Sequence, residues 1–284
     1  MMNQLISPIQ KEDSLLKDIR LAPNDDKTFH LWWLGQSGFL LKWKGLHFLM
    51  DPYLSDSLTK KYENTPKPHI RMTERVIDPN TLDFIDVVSS SHNHTDHLDG
   101  ETLGPILSRN PGIDFIIPEA NRAFVSERLN CAVDFPIGIN EGEQVSLKGF
   151  QVYAIPAAHE KVERNENNQC RYLGYVIQFG SFTIYHSGDT ILFENMVNIL
   201  SKFKIDVAIL PINGKDSKRN VAGNLNSSEA AQLGKDIGAK MVIPCHYDMF
   251  TFNTADPQEF IQEAEAIGQC YNVLQNGERL TYSN

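Results

Sequence analysis

The chain has little of several things that would have settled its class early. It has only four cysteines in 284 residues, Cys131, Cys170, Cys245 and Cys270, and no two of them form a CxxC pair. That excludes the dense disulfide framework of a small secreted scaffold and the paired thiolates of a zinc ribbon; the expectation is four reduced thiols in a cytoplasmic protein. No stretch approaches the ~18 consecutive apolar residues of a membrane span. The opening MMNQLISPIQKEDS lacks a basic segment followed by an apolar run, so the reading expects no secretory leader. There is no low-complexity tract, no glycine-serine linker and no demonstrable repeat. Positive charge is also scarce. With 26 basic against 36 acidic residues the formal net charge is −10, which argues against broad contact with nucleic acid, and no amphipathic basic helix suggests a membrane surface.

What remains is an ordinary globular composition, 41% hydrophobic and 22% charged, long enough to bury a sizeable core. Residues 1–27 are polar and read as a peripheral segment with a short helix over 11–21; residues 28–284 read as one domain. Short β-rich runs at 29–34, 39–43 and 46–50 are separated by Gly35-Gln36-Ser37-Gly38 and Lys44-Gly45. Residues 52–83, with Pro66, Pro68 and Pro79, lack periodicity and read as a long excursion. Beyond it, strands are expected at 84–88, 113–117, 151–155, 172–179, 181–185, 207–210 and 240–243. Helices are expected at 101–109, 121–129, 191–203 and 227–237. Asp256-Pro257-Gln258-Glu259 carries the cap, first-turn proline and third-position acid of a helix start, with Gly268 as its stop. The order predicts an α/β protein with two packed sheets and helices outside.

The chemistry concentrates in Ser91-His92-Asn93-His94-Thr95-Asp96-His97-Leu98-Asp99, between an apolar strand and a helix. Three histidines and a carboxylate in six positions gain little from packing but suit metal ligation. An extended backbone would point His92 and His94 the same way, leaving Asp96 and His97 to face a second point, so one loop can serve two metals. Imidazole and carboxylate suit zinc, manganese or iron. Further on, His159, His186 with Asp189, and His246 each follow a strand, where ligands gather in layered α/β proteins.

This pattern, HxHxDH followed in order by a later His, an Asp and a last His, resembles the metallo-β-lactamase superfamily from about Trp32 to Asp256. Within it, Trp32-Trp33-Leu34-Gly35, His92 to Asp99, Tyr185-His186-Ser187-Gly188-Asp189, Ile205-Asp206-Val207-Ala208 and Val242 to Asp248 are similar to the L-ascorbate 6-phosphate lactonase group. The resemblance implies a four-layer αβ/βα sandwich and two divalent metal ions, zinc first. His92, His94 and His159 would hold one ion, Asp96, His97 and His246 the other, and Asp189 would bridge them. Asp51 would orient the histidine loop, and His186 would support the site from behind or contact substrate.

The activity expected of such a centre is hydrolysis by a metal-bridging hydroxide, with Asp96 moving the proton. Lys215 and Arg219, in a loop that clusters cations, are expected to contact a small anionic substrate such as a lactone or phosphorylated sugar derivative. The basic run Lys60, Lys61, Lys67, Arg71 and Arg75 in the 52–83 excursion suggests a lid. The alternatives are a phosphodiesterase acting on phospholipid or nucleic acid, and, in another class, a non-catalytic metal-binding or sensing module. Assembly into a homo-oligomer is left open by the sequence.

Overall fold

A computed structural model describes residues 5–215 and 223–283. In chain order the elements are α1 (Glu12–Leu21), β1 (Thr28–Gly35), β2 (Gly38–Trp43), β3 (Leu46–Met50), α2 (Ser57–Tyr62), β4 (Val87–Ser89), α3 (Gly100–Arg109), β5 (Asp114–Pro118), α4 (Arg122–Leu129) and β6 (Ile137–Ile139). The second half has β7 (Gln144–Leu147), β8 (Phe150–Pro156), β9 (Leu173–Phe179), β10 (Phe182–His186), α5 (Met196–Leu200), β11 (Val207–Pro211), α6 (Ser227–Asp236), β12 (Met241–Cys245), α7 (Pro257–Ile267) and β13 (Arg279–Ser283).

The strands form two mixed sheets, ordered β13-β1-β2-β3-β4-β5-β6 and β12-β11-β10-β9-β8-β7. Each sheet is antiparallel at one end and parallel at the other. In the first, β3, β4, β5 and β6 run parallel; in the second, β10, β11 and β12 do. Parallel neighbours need crossovers, and the helices supply most of them. The result is the expected αβ/βα sandwich.

The first sheet is buried on both faces, which is why its strands read as unbroken apolar runs. Alternate residues part company: Phe29, Leu31 and Trp33 of β1 enter the core between the sheets, while Trp32 and Leu34 enter a second core under the outer helices. The same alternation puts Lys42 of β2 on the outer face. There its ammonium donates to the carbonyls of Ile19 and Ala22, both at 2.8 Å, closing the end of α1. The N-terminal segment is peripheral in position, but Leu15, Leu16 and Ile19 of α1 are packed into that outer core.

Two expectations change. The helix over 191–203 shrinks to the five residues of α5, because Asn195 sits at φ +65, outside helical space. Residues 52–83 are not wholly irregular: they contain α2, and Tyr53 and Leu58 pack with Met249 and Phe250 into a small core of their own.

Candidate metal centre

The C-terminal ends of β3, β4, β8, β10 and β12 emerge on one rim of the sandwich, where open parallel sheets carry their sites. Asp51 follows β3, the histidine loop follows β4, His159 follows β8, Asp189 follows β10 and His246 follows β12. Two groups of donors result. His92, His94, His159 and Asp189 bring ligand atoms within 4.8 Å of one another, and Asp96, His97 and His246 do the same.

Asp189 lies between the groups. Its Oδ2 is 3.7 Å from Nε2 of His159 and 3.6 Å from Nε2 of His246, and its Oδ1 is 3.4 Å from Nε2 of His97. Asp96 Oδ2 is 3.7 Å from Nε2 of both His97 and His246. The loop itself is bends and turns rather than extended chain, yet the His92 and His94 rings still lie 4.6 Å apart. Ser90 fixes its path by donating to the carbonyls of His92 and His97 at 2.9 and 2.7 Å.

Asp51, buried and at φ +41, accepts from the Ser91 amide at 2.8 Å, from the Ser91 hydroxyl, and from His97 Nδ1 at 2.6 Å. A proton on Nδ1 leaves Nε2 of His97 with its lone pair toward the cluster. His159 is oriented the same way, with Nδ1 donating to the Gly223 carbonyl at 2.9 Å. His186 sits behind the site. Its Nδ1 accepts from the Gly188 amide at 3.3 Å and its Nε2 donates to the Ser37 carbonyl at 2.9 Å, joining the Asp189 turn to the β1–β2 turn.

The electrostatics favour a cation. Burial keeps His92 well below the ordinary imidazole value, with His97 and His94 pushing the same way. Burial, then His159, takes His94 down to about 4. Burial opposes charge on His97 too, but Asp189, Asp96 and Asp51 outweigh it and raise that pKa well above normal. Burial disfavours an ionised Asp189, yet His97 and His246 hold its carboxyl well below the usual range; His97 and His246 also lower Asp96, against burial and Asp189. His92 and His94, held neutral beside buried carboxylates, suit a divalent metal, and at His97 a metal ion would take the place of the proton that the three carboxylates stabilise. Among the described residues, His92 Nε2, His97 Nε2 and Asp189 Oδ1 are buried without a hydrogen-bond partner. Such atoms are costly unless something else binds them, and ions fit all three.

Three neighbours went unnoticed in the sequence. Gln36 donates from Nε2 to Asp96 Oδ2 at 2.8 Å and lies 2.9 Å from His246 Nε2, using the lone pairs a cation would take. Tyr172 lies against His92 and His159, with centroids at 5.1 and 5.6 Å. His69 lines the site cavity, its Nδ1 donating to the Lys67 carbonyl at 2.8 Å. Only the polar pair between two glycines hinted at Gln36; nothing local marked the others.

The cavity holds about 390 Å³ and reaches His94, Asp96, His159, Asp189 and His246 at its floor. Lys215 is not among its lining residues; it borders an adjoining depression with Asn213 and Asn224. Arg219 lies outside the described residues.

The comparisons with known proteins agree with this geometry. The model of the beta-lactamase superfamily domain matches residues 30–246. The chain belongs to that superfamily. A metal-dependent hydrolase of Caldivirga maquilingensis is 30% identical over 84% of this chain and 90% of its own. An Escherichia coli protein named a probable L-ascorbate-6-phosphate lactonase is 25% identical over 82% of this chain and 73% of its own. Among solved structures, a metallo hydrolase from the hyperthermophilic archaeon Ignicoccus hospitalis is 26% identical, covers 90% of this chain and 99% of its own, and superposes with a TM-score of 0.65. The chain is thus a metal-dependent hydrolase of the beta-lactamase superfamily, and the reading as a non-catalytic metal module is set aside. Among the described residues, no helix is long and apolar enough to cross a membrane.

Proposed function

We propose that the chain hydrolyses a small anionic molecule, a lactone or a phosphorylated sugar derivative, at a pair of divalent cations, zinc by preference and manganese or iron as alternatives. The observation that carries the reading is the convergence of seven donors from four strand ends, with three buried atoms that no group among the described residues satisfies. His92, His94 and His159 would hold one ion and Asp96, His97 and His246 the other, with Asp189 touching both groups. Ions so placed supply activated water and charge stabilisation for hydrolysis.

The chain's own residues do the rest. Asp51 and the Gly223 carbonyl keep His97 and His159 in the tautomer that offers Nε2. Asp96 is the one partly exposed donor of its group, so its carboxylate can take a proton from the attacking water and pass it to the leaving oxygen. The cavity, at about 390 Å³, has room for a small molecule. Four unpaired thiols, two of them buried, suit a reducing cytoplasm.

The test is a hydrolase screen of lactones, phosphodiesters and amides before and after chelation. Metal-dependent turnover of anionic lactones supports the proposal. Turnover of bis-aryl phosphodiesters alone would shift it to phosphodiester hydrolysis, and activity that survives thorough chelation would defeat both.

A further inference from the structure

The turn between β1 and β2 carries an amide side chain into the donor cluster and holds it there. Gln36 is 1% exposed and stands at φ +52, a left-handed position unfavourable to any residue with a side chain. Its carbonyl accepts from Trp33 Nε1 at 3.0 Å and from the His246 amide at 3.1 Å. His246 is left-handed as well, at φ +67. Such backbone persists only where the surrounding fold imposes it, and it gathers at functional sites. The main-chain bond between the two residues keeps their side chains together.

The carboxamide makes two contacts. Nε2 donates to Asp96 Oδ2 at 2.8 Å and lies 2.9 Å from His246 Nε2, while Oε1 is buried without a hydrogen-bond partner. An amide nitrogen only donates, so His246 Nε2 is the acceptor. The two acceptors differ in capacity. A carboxylate oxygen has two lone pairs and can serve an amide and a cation together. An imidazole nitrogen has one, which goes to the amide or to a cation.

This competition is one-sided. Both partners of the carboxamide, Asp96 and His246, belong to the second group of donors. In the first group, the buried Nε2 of His92 has no hydrogen-bond partner among the described residues, and that of His159 faces Asp189 Oδ2 at 3.7 Å. Those lone pairs are open to a cation without displacing a donor; the one on His246 is not.

We propose that Gln36 sets the occupancy of the second cation site. Its carboxamide competes for the lone pair of His246, so the chain holds one ion tightly in the first group and a second weakly and exchangeably. Turnover would then follow the free concentration of divalent metal over a range in which the first ion is already bound. The assignment rests on the two-ion centre proposed above and is independent of the substrate.

The experiment is a zinc titration of the full chain, stripped by chelation, in competition with a chelating dye. The wild type is expected to bind two ions in separate steps, the second at least about tenfold weaker. His246→Ala should abolish the weaker step and spare the tighter one. Gln36→Leu and Gln36→Gly share only the loss of the carboxamide. Each should tighten the second step about tenfold and leave the first unchanged. A merely structural role for the turn predicts the opposite sign, with binding weakened in both. A gain in either variant that folds by circular dichroism supports the proposal. Two equal steps in the wild type, loss of the tighter step in His246→Ala, or a second step unchanged or weakened in both Gln36 variants would overturn it. The hydrolase reading fails separately. Unequal steps that Gln36→Leu brings together, in a chain that hydrolyses nothing in the screen, would leave Gln36 assigned and the chemistry wrong. Metal-dependent turnover with two equal steps would do the reverse.

Discussion

Asp51 is absent from the cavity lining, yet it holds the amide and hydroxyl of Ser91 and the Nδ1 of His97 at once. Removing its charge should loosen the loop and the tautomer together. Asp51→Asn is expected to lower metal affinity about 10- to 100-fold, read by competition with a chelating dye, with the fold intact by circular dichroism. Asp96→Asn should behave differently, keeping much of the metal while turnover falls about 100-fold or more; near-normal turnover would remove Asp96 from its proposed role. His47, far from the centre, supplies a pH effect. Burial takes its pKa from 6.5 down to about 4, opposed by Asp86. Between those values the unfolded chain binds the proton and the folded chain does not, so stability is full above about 6.5 and falls with acid, by up to about 3 kcal/mol from this group. Denaturant midpoints from pH 7 to 4.5 should drop less steeply in His47→Phe. At this scale the metal donors were legible because ligand chemistry forces histidines and carboxylates into recognisable spacings. Gln36 and His69 were not, since an amide in a turn and one imidazole in an irregular loop gain their meaning only from what packs beside them.

Elements place these residues through a few backbone positions that tolerate nothing larger. Gly188, just before Asp189, has φ +59, and a Cβ there would lie 2.6 Å from Ser91 Cβ and 3.0 Å from the Leu173 carbonyl. Gly188→Ala should therefore cost at least about 2 kcal/mol and weaken metal binding as well, measured by thermal melting with and without zinc. Lys42→Met tests the closure of α1. It leaves two buried carbonyls unpaired and should cost about 1–3 kcal/mol, with early loss of hydrogen-exchange protection in α1. Elements with strong local chemistry were legible. Asp256 accepts from the Gln258 amide at 2.9 Å and Gly268 ends α7 at φ +66, as their residue types imply. The strands β6, β7 and β13 were missed because they are short or half-exposed edge pieces whose pairing is decided by distant neighbours. Helix α5 was overdrawn because an apolar pattern cannot register a left-handed Asn195.

At the scale of the molecule, two sheets with similar mixed topology bring their strand ends to one rim, and the centre is shared between them. The first sheet contributes Asp51 and the histidine loop; the second contributes His159, Asp189 and His246. The order of the motifs was legible and the basic run of 52–83 suggested a lid, but not where that segment docks, because residues 52–83 fold onto the chain after His246 through contacts between segments nearly 180 positions apart. The most direct test of the whole account is the metal content of the chain after equilibrium dialysis against zinc, by mass spectrometry of the bound ions. The account predicts two ions per chain in the wild type and about one when His159 and His94 are both replaced by Ala. A wild-type chain that retains no ion, or a double variant that still retains two, would contradict it.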